Sequence, residues 1–309
     1  MRISFTLLSL LLIAVSAAAA YSARYRLTSN PQTASSLESV VSTRVPIVRD
    51  GEVAETDQRG TAATTAPTMP DLVELAKNLL AHMRGNVRDY TATLVKRERI
   101  AGSLAPEARM QIKIRNPQIA SQANNAEQSI RGLAAYIKFT EPSVMRGREV
   151  IWEAGKNDNK LVAHETGFLN VLRVELAPNS TLAMMGNKYP ITEIGLMRLL
   201  EKLLEKIDRG VDLSGCQIEI REGERVGERN CRLIQVTQPR SIPGADFYIA
   251  QFFLDTERQL PLRYAAFLWP QKAGDPPVLE EEYTYLDLKL NVGLSDSDFD
   301  PDNAAYDYP

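Results

Sequence analysis

The chain has 309 residues with a formal net charge of −3, and hydrophobic residues make up 44% of it. This apolar share is enough for a folded core, and the nearly balanced charge excludes the basic surface that a nucleic acid requires. We therefore expect a globular protein without a nucleic-acid partner, organised either as two domains or as one β-rich domain with tails.

The first residues are typical of a secretory signal peptide at 1–20. Arg2 supplies the positive start, an apolar run covers residues 3–15, and small residues at Ala18 and Ala20 suit a signal peptidase. The apolar run approaches the length that spans a bilayer, so an uncleaved N-terminal anchor is the alternative. In both cases the rest of the chain is expected to be periplasmic or secreted.

Residues 21–68 show no sustained hydrophobic period and are expected to form a flexible linker. The folded domain then begins with a helical pattern in "PDLVELAKNLLAHMRGNV". Leu72, Leu75 and Met83 fall on one helical face, and Asp71 is placed to cap the first turn.

Strand patterns follow this helix in close succession. Stretches such as "YTATLVKR", "RMQIKIRN" and "AAYIKFTEP" alternate apolar and polar residues with a period of two, which is typical of half-buried antiparallel strands. Residues 118–132 are expected to be a loop insertion. The pattern predicts about eleven strands in one domain at 69–305, followed by a tail at 306–309.

One strong helix, at residues 191–209, interrupts the strands within "PITEIGLMRLLEKLLEKIDRG". Thr192 is expected to cap it and Gly210 to end it. Its apolar stripe is wide enough that we expect it to be buried against a sheet. The whole pattern predicts a mainly β, α+β fold in which a curled antiparallel sheet carries helices on one face.

Two cysteines, Cys216 and Cys231, lie on the two sides of a predicted hairpin. A turn at Gly223-Glu224 places them opposite each other, whereas a turn at Gly227-Glu228 places Cys231 opposite Glu224. We favour the second turn because it lies between two longer strands, and a disulfide between Cys216 and Cys231 stays open as the alternative.

The stretch "GREVIWEAGKNDNKLVAHETG" holds His164 and Glu165, which are residue types that serve in catalysis. The run "KNDN" predicts a turn between two strands, and neighbours on a strand point to opposite faces, so these two residues should not form a dyad. The chain also lacks a nucleophile elbow, a zinc-ligand spacing and a phosphate-binding glycine loop. We therefore expect no catalytic residue, no metal ligand and no cofactor.

The acidic stretch "SDSDFDPDNAAYD" places Asp296, Asp298, Asp300 and Asp302 at alternate positions, like the start of an EF-hand calcium loop. Pro301 stands where such a loop needs glycine for its sharp turn. A solvated acidic tail is therefore the favoured interpretation.

Several stretches together resemble one family: "YTATLVKRERI", "YIKFTEPSVMRGREVIWEAGKNDNKLVAHETG", "FFLDTERQLPLRYAAFLWP" and "YTYLDLKLNVGLSDSDFDP". The chain is identified over residues 70–305 as a member of the secreted bacterial family called domain of unknown function 1571. This family is similar to the lipoprotein carriers LolA and LolB and to the anti-sigma regulator RseB. The resemblance implies an unclosed β-barrel of about eleven strands, with helices on the concave side and an apolar cavity for acyl chains.

The hypotheses for function belong to different classes. The first is a non-enzymatic envelope protein that binds a lipid or lipoprotein acyl group in such a cavity. Its candidate lining residues are Leu196, Leu200, Leu203, Phe139, Ile151 and Trp152. The alternative is an anchored interaction or sensing domain with an envelope protein as partner, and a secreted hydrolase that uses His164 is the third.

Overall fold

In the computed structural model of the chain, the described residues are 67–119, 130–166, 172–209, 213, 215–241, 244 and 246–309. The predicted signal peptide or anchor, nearly all of the predicted linker and most of the predicted insertion lie outside them. No helix in the described part of the chain is long and apolar enough to cross a membrane.

The described helices are α1 (Met69–Asn86) and α2 (Leu196–Asp208). The strands in chain order are β1 (Asp89–Ile100), β2 (Ser103–Leu104), β3 (Ala108–Arg115), β4 (Gln118–Ile119), β5 (Ile130–Arg131), β6 (Ala134–Glu141), β7 (Glu149–Glu153), β8 (Leu161–His164), β9 (Arg173–Leu176), β10 (Gln217–Val226), β11 (Arg229–Thr237), β12 (Ile249–Asp255), β13 (Leu260–Leu268) and β14 (Val278–Leu290). Short 3-10 turns occur at Asn157–Asn159, Ile191–Glu193 and Asp296–Phe299.

A single 12-stranded sheet dominates the described residues, with the order β10-β11-β12-β13-β14-β1-β3-β6-β7-β8-β9 and β2 paired with β1 beside this path. Neighbouring strands are antiparallel throughout. β10 and β9 end the order, so the sheet has two edges and does not close. The prediction of an unclosed antiparallel sheet is confirmed. β4 and β5 pair separately, at the two ends of the predicted insertion.

The two faces of the sheet can be followed along β6, because successive side chains of a strand point to opposite sides. Ala135, Ile137 and Phe139 belong to the main hydrophobic core, on the inner face. Ala134 and Tyr136 belong to a smaller cluster on the outer face. The period of two that predicted the strands therefore also sorts their residues between two separate cores.

Both helices pack against the inner face. Leu79 and Met83 of α1 and Leu196 and Leu200 of α2 are buried in the main core. Each buried leucine contributes about 1.5–3 kcal/mol through the removal of its surface from water. The two helices therefore hold the inner face of the sheet together as one hydrophobic core.

The N-terminus of α1 differs from the prediction by three residues. Thr68 is the N-cap, and both its backbone N–H and its hydroxyl donate to Asp71, at 2.7 and 2.6 Å. Asp71 is therefore the third helical residue of a capping box, a position where a carboxylate satisfies free backbone donors.

The N-terminus of α2 also differs from the prediction, which placed it at Thr192. The backbone is extended at Ile194 and reaches φ = 111° at Gly195, so the α-helix begins at Leu196. A side chain at Gly195 would meet the Tyr90 hydroxyl at 3.1 Å. That hydroxyl accepts a hydrogen bond from the Leu196 N–H at 3.0 Å, so Tyr90 satisfies a helix-end donor from the sheet.

The hairpin of β10 and β11 turns at Gly227-Glu228, with Val226 opposite Arg229 and Glu224 opposite Cys231. The favoured register is confirmed. Gln217, the residue after Cys216, lies opposite Thr237 and so about six strand positions, or roughly 20 Å, from Cys231.

The C-terminal segment, residues 294–308, packs on the outer face of the sheet. Phe299 is buried against Tyr136 and Ile151, and the Tyr306 ring stacks on Tyr136 with centroids 4.2 Å apart. Its acidic residues form the ion pairs Asp296–Arg115, Asp298–Lys113, Asp302–Arg173 and Asp307–Lys138, with distances of 2.6, 2.8, 2.6 and 2.7 Å.

The interpretation of this acidic stretch as a solvated tail is therefore wrong. Lys113 and Arg115 on β3 and Lys138 on β6 occupy alternate positions that point outward, and together they present positive charge to the segment. The predicted tail at 306–309 also takes part, since the Tyr308 hydroxyl donates to the Val162 carbonyl at 3.1 Å.

Candidate ligand-binding cavity

A cavity of about 250 Å³ lies between the inner face of the sheet, α2 and the loop at residues 177–195. α2 contributes the apolar residues Leu199 and Leu203 to its wall. The strands contribute Leu94, Met110, Ile137, Phe139, Val150, Leu161, Ala163, Leu176 and Phe252. The wall is therefore mostly apolar, as in sites that hold apolar ligands.

The cavity also shows that the sheet curls. Leu176 on β9 and Phe252 on β12 line it together, although eight strand spacings separate these strands in the sheet order. In a flat sheet the two strands would be about 38 Å apart, because neighbouring strands lie about 4.8 Å apart. The sheet therefore bends around α2, and the prediction of a curled sheet with helices on its concave face is confirmed.

Exposed apolar side chains surround the opening of the cavity. Val174, Leu182 and Met185 are 38%, 50% and 37% exposed, and all three line the cavity. Exposed apolar groups that continue into a pocket are typical of ligand or partner sites. The apolar part of the wall therefore extends to side chains at the surface.

Buried carboxylates connect the loop to the sheet at one side of the cavity. Glu98 of β1 accepts hydrogen bonds from the Tyr283 hydroxyl at 2.7 Å, the Lys188 N–H at 3.0 Å and Lys96 Nζ at 3.1 Å. Burial, together with the charge of Glu98, raises the pKa of Tyr283, so its hydroxyl stays protonated and keeps donating. Glu98 is thus fully used in holding the loop.

Glu281 of β14 plays the same part for the next residues of the loop. It accepts a hydrogen bond from the Tyr189 hydroxyl at 2.9 Å, and Lys188 Nζ lies 2.9 Å from it. Burial and the charge of Glu281 raise the pKa of Tyr189. Burial alone would lower the pKa of Lys188, but Glu281 and Glu280 outweigh it and raise that pKa. These groups are structural partners of one another.

Two ion pairs of the cavity wall lie closer to the opening than Glu98 and Glu281 do. Arg148 Nη2 donates to Glu165 Oε2 at 3.0 Å, and Arg148 Nε lies 2.8 Å from Glu165 Oε1. Lys202 Nζ lies 3.2 Å from a Glu193 oxygen and 4.6 Å from the centre of the Tyr189 ring. Burial would raise the pKa of Glu193, but the hydrogen bonds from Arg198 and Lys202 outweigh it and lower that pKa.

The six predicted lining residues lie in the cavity wall, in the main core and on the outer face of the sheet. Phe139 and Leu203 line the cavity. Leu196, Leu200 and Trp152 lie in the main core and are not among the residues that form the cavity wall. These three fill the space between helix and sheet.

Ile151 requires a correction, because it lies on the outer face beneath Phe299. Its neighbour Trp152 points to the inner core, as the strand period demands for adjacent residues. The two residues therefore cannot face one cavity, and Val150, on the same side of β7 as Trp152, lines it instead.

His164 and Glu165 point to opposite faces, as predicted. His164 is buried on the outer face, with its ring 5.0 Å from that of Tyr308, while Glu165 lines the cavity and pairs with Arg148. The sheet separates the two side chains, so they do not form a catalytic dyad. Among the described residues, no group of three or more His, Cys, Asp or Glu is arranged to hold a metal ion.

Sequence reasoning missed the loop residues and the charged pairs of the cavity. Leu182 and Met185 lie in a loop without helical or strand period, and such unexplained apolar residues are the available signal for an opening. Arg148 and Glu165 are 17 residues apart. The predicted turn at "KNDN" joins β7 and β8, but it does not determine their register, which places Glu149 opposite His164 and brings Arg148 to Glu165.

The fold and the cavity define a class: an open, curled antiparallel sheet whose concave face and helix enclose an apolar pocket. The family model described as "Protein of unknown function (DUF1571)" matches residues 87–308, and the chain belongs to this family. The family assignment made from the sequence is confirmed. No curated protein matches the chain.

Solved structures include similar chains at low identity. A LolA superfamily protein from Nitrosomonas europaea is 11% identical, with 73% of this chain and 97% of that chain covered and a TM-score of 0.28. The lipoprotein LppX from Mycobacterium tuberculosis is 11% identical, with 74% and 99% covered and a TM-score of 0.38. The Pseudomonas aeruginosa MucA/MucB complex is matched at 14% identity, with 74% and 60% covered and a TM-score of 0.35.

Proposed function

We propose that this chain is a non-enzymatic envelope protein that binds an acyl chain of a lipid or lipoprotein in the cavity beside α2. The observation that carries the proposal is a mostly apolar cavity that opens between the exposed residues Val174, Leu182 and Met185. The predicted signal peptide or anchor supports a periplasmic or secreted location.

The size of the cavity supports one chain. A cavity of roughly 150 Å³ in another protein holds benzene, so the 250 Å³ found here has room for about ten carbon atoms. This volume is slightly below the roughly 300 Å³ at which pockets for larger ligands begin. The proposal is therefore a single acyl chain, inserted end first, with its polar group at the opening.

Non-enzymatic action is supported by how the polar groups of the cavity are used. Glu98 and Glu281 accept hydrogen bonds from tyrosine hydroxyls and from Lys188, and Glu165 pairs with Arg148. A general base or nucleophile needs a free lone pair directed at substrate. These carboxylates instead hold the walls of the cavity in place.

Two measurements test the proposal. Native mass spectrometry of the purified protein should show co-purified lipid, and an uncharged fluorescent dye, N-phenyl-1-naphthylamine, should bind and be displaced by acyl lipids. Leu203→Trp fills the cavity and should weaken dye binding at least about tenfold. Leu204→Trp is the matched control, because Leu204 packs on the core from the same helix without lining the cavity.

Equal dye binding by the Leu203→Trp and Leu204→Trp variants would place the dye elsewhere. Absence of both lipid and dye binding would overturn the proposal and favour an interaction domain with a protein partner.

A further inference from the structure

The charged groups of the cavity wall each have a partner of opposite charge, either within the wall or beside it. The wall contains the cations Lys96, Arg148, Lys202 and Lys206 and the carboxylates Glu98, Glu165, Glu193 and Glu281. Each of the four cations lies within salt-bridge distance of a carboxylate, in the pairs Lys96–Glu98, Arg148–Glu165, Lys202–Glu193 and Lys206–Asp246. Among the described residues that form the wall, every cation therefore already has a carboxylate partner.

The Arg148–Glu165 pair lies in the cavity wall and connects the residues that flank β7 and β8. Arg148 Nη2 donates a hydrogen bond to Glu165 Oε2 at 3.0 Å, and Arg148 Nε lies 2.8 Å from Glu165 Oε1. The two side chains are 24% and 39% exposed, so water only partly screens the pair. Arg148 also lies over the Phe139 ring at 5.9 Å, which holds the guanidinium against the apolar wall.

We infer that this cavity selects ligands whose polar end carries no net charge, such as an acyl ester or amide, and disfavours free fatty acids and cationic amphiphiles. This inference rests on the proposed function and names the class of its ligand. It also assigns Glu165 and Glu193 as specificity-determining residues, because they occupy the cations that would otherwise attract a carboxylate.

The expected preference for uncharged ligands has its physical reason in the free-energy cost of breaking the existing ion pairs. A ligand carboxylate at the opening would have to take Arg148 from Glu165, which would leave a partly buried carboxylate without its partner, or take Lys202 from Glu193, which would then keep only Arg198. A ligand cation would leave Arg148 or Lys202 unpaired in the same way. An uncharged ester needs only hydrogen bonds, which water at the opening can supply.

Three probes with the same ten-carbon length test this inference at neutral pH: the decanoyl ester of glycerol, decanoate and decyltrimethylammonium. Each displaces the uncharged dye from the full-length protein. The glycerol ester should bind at least about tenfold more tightly than either ion. Equal affinity for the ester and decanoate would overturn the inference and leave the proposed function standing, whereas no binding by any probe would overturn the proposed function itself.

Variants that free a cation of the wall test the inference more directly, because they should bind anions more tightly than the wild type does. Glu165→Gln leaves Arg148 without its carboxylate, so the affinity for decanoate relative to the ester should rise about fivefold. Glu193→Gln, which releases Lys202, should shift the same ratio in the same direction. Glu205→Gln lies on α2 outside the cavity wall and should leave the ratio unchanged. An unchanged ratio in both cavity variants would show that these carboxylates do not set the specificity.

Discussion

Single positions on α2 decide whether a side chain faces the core or the cavity. Leu196 and Leu200 are 0% and 2% exposed and share one side of the helix, because residues four apart lie on the same face. Leu199 and Leu203 occupy the adjacent side and line the cavity. One apolar stripe therefore serves two purposes that its sequence does not distinguish.

Leu200→Trp should lower the free energy of unfolding by about 1–3 kcal/mol, because the larger ring overpacks a filled core. Leu203→Trp has the cavity beside it and should lower that free energy by less than about 1 kcal/mol. Urea unfolding followed by circular dichroism measures both values. Equal losses would mean that the cavity is filled by the protein itself.

Cys231 is a residue whose reactivity is decided by its place in the sheet. Its side chain is fully buried on β11, and burial, with a further contribution from Asp255, raises the pKa of its thiol to about 11. In the variant Cys216→Ser, the remaining thiol should react with a disulfide reagent at least about a hundredfold more slowly in the native protein than in denaturant. Fast native reaction would contradict the burial of Cys231 on the inner face of the sheet.

At the scale of elements, the C-terminal segment behaves as an additional layer on the outer face. Its hydrophobic residues cover Ala134 and Ile151, and its carboxylates neutralise outward-pointing lysine and arginine residues. The acidic character of the segment and the basic character of β3 and β6 are therefore parts of one interface. The role of the acidic residues is therefore visible only together with the basic residues that they contact.

Asp298 should make the stability of this layer depend on pH. Burial raises the pKa of Asp298, but hydrogen bonds from Lys113 and the Ser295 N–H outweigh it, so the pKa lies below the ordinary 3.8. A carboxyl with a depressed folded pKa stabilises the fold above its unfolded value and loses that contribution as the pH falls through the folded value. Asp298→Asn should therefore cost about 1 kcal/mol at neutral pH.

The difference in melting temperature between the wild type and Asp298→Asn should shrink as the pH falls below about 4. Asp300→Asn is the control in the same segment, because an amide oxygen still accepts the Asp302 N–H hydrogen bond. A difference between the wild type and Asp298→Asn that is constant with pH would show that Lys113 does not stabilise the ionised form of Asp298.

For the whole molecule, an open sheet must tolerate two free edges. β10 carries charged residues at Glu219, Arg221 and Glu222, and its ladder to β11 is interrupted between Arg221 and Glu224. Charges and bulges at an edge discourage pairing with a second chain. The charges and the interrupted ladder of β10 should therefore disfavour pairing of this open edge with a second chain.

The predicted boundary between linker and folded domain can be tested at the cap of α1. Residues 21–66 have no periodic apolar face in the sequence, so removal of residues 1–66 should leave cooperative melting intact. Removal of residues 1–68 also deletes Thr68 and its hydrogen bonds to Asp71, and should cost about 1 kcal/mol more. Calorimetry of the two truncated chains measures the difference, and equal melting temperatures would show that the cap is dispensable.

Much of this molecule can be predicted from local pattern. Alternation with a period of two identifies the strands and assigns Ala135 and Tyr136 to opposite faces, and the turn residues Gly227-Glu228 set the register around Cys231. The opposite directions of His164 and Glu165 follow from the same rule. These features depend only on neighbouring residues in the chain, so a short stretch of sequence is enough to predict them.

The curl of the sheet, the partner of each charge and the division of α2 between core and cavity depend on tertiary structure. Leu176 and Phe252 meet at one cavity only because small twists accumulate over eight strand spacings. Arg148 contacts Glu165 because of the register between β7 and β8. Lys113 contacts Asp298 because the C-terminal segment packs across the outer face. Contacts between residues distant in the chain depend on the accumulated twist and register of several strands. A local sequence pattern does not contain that information.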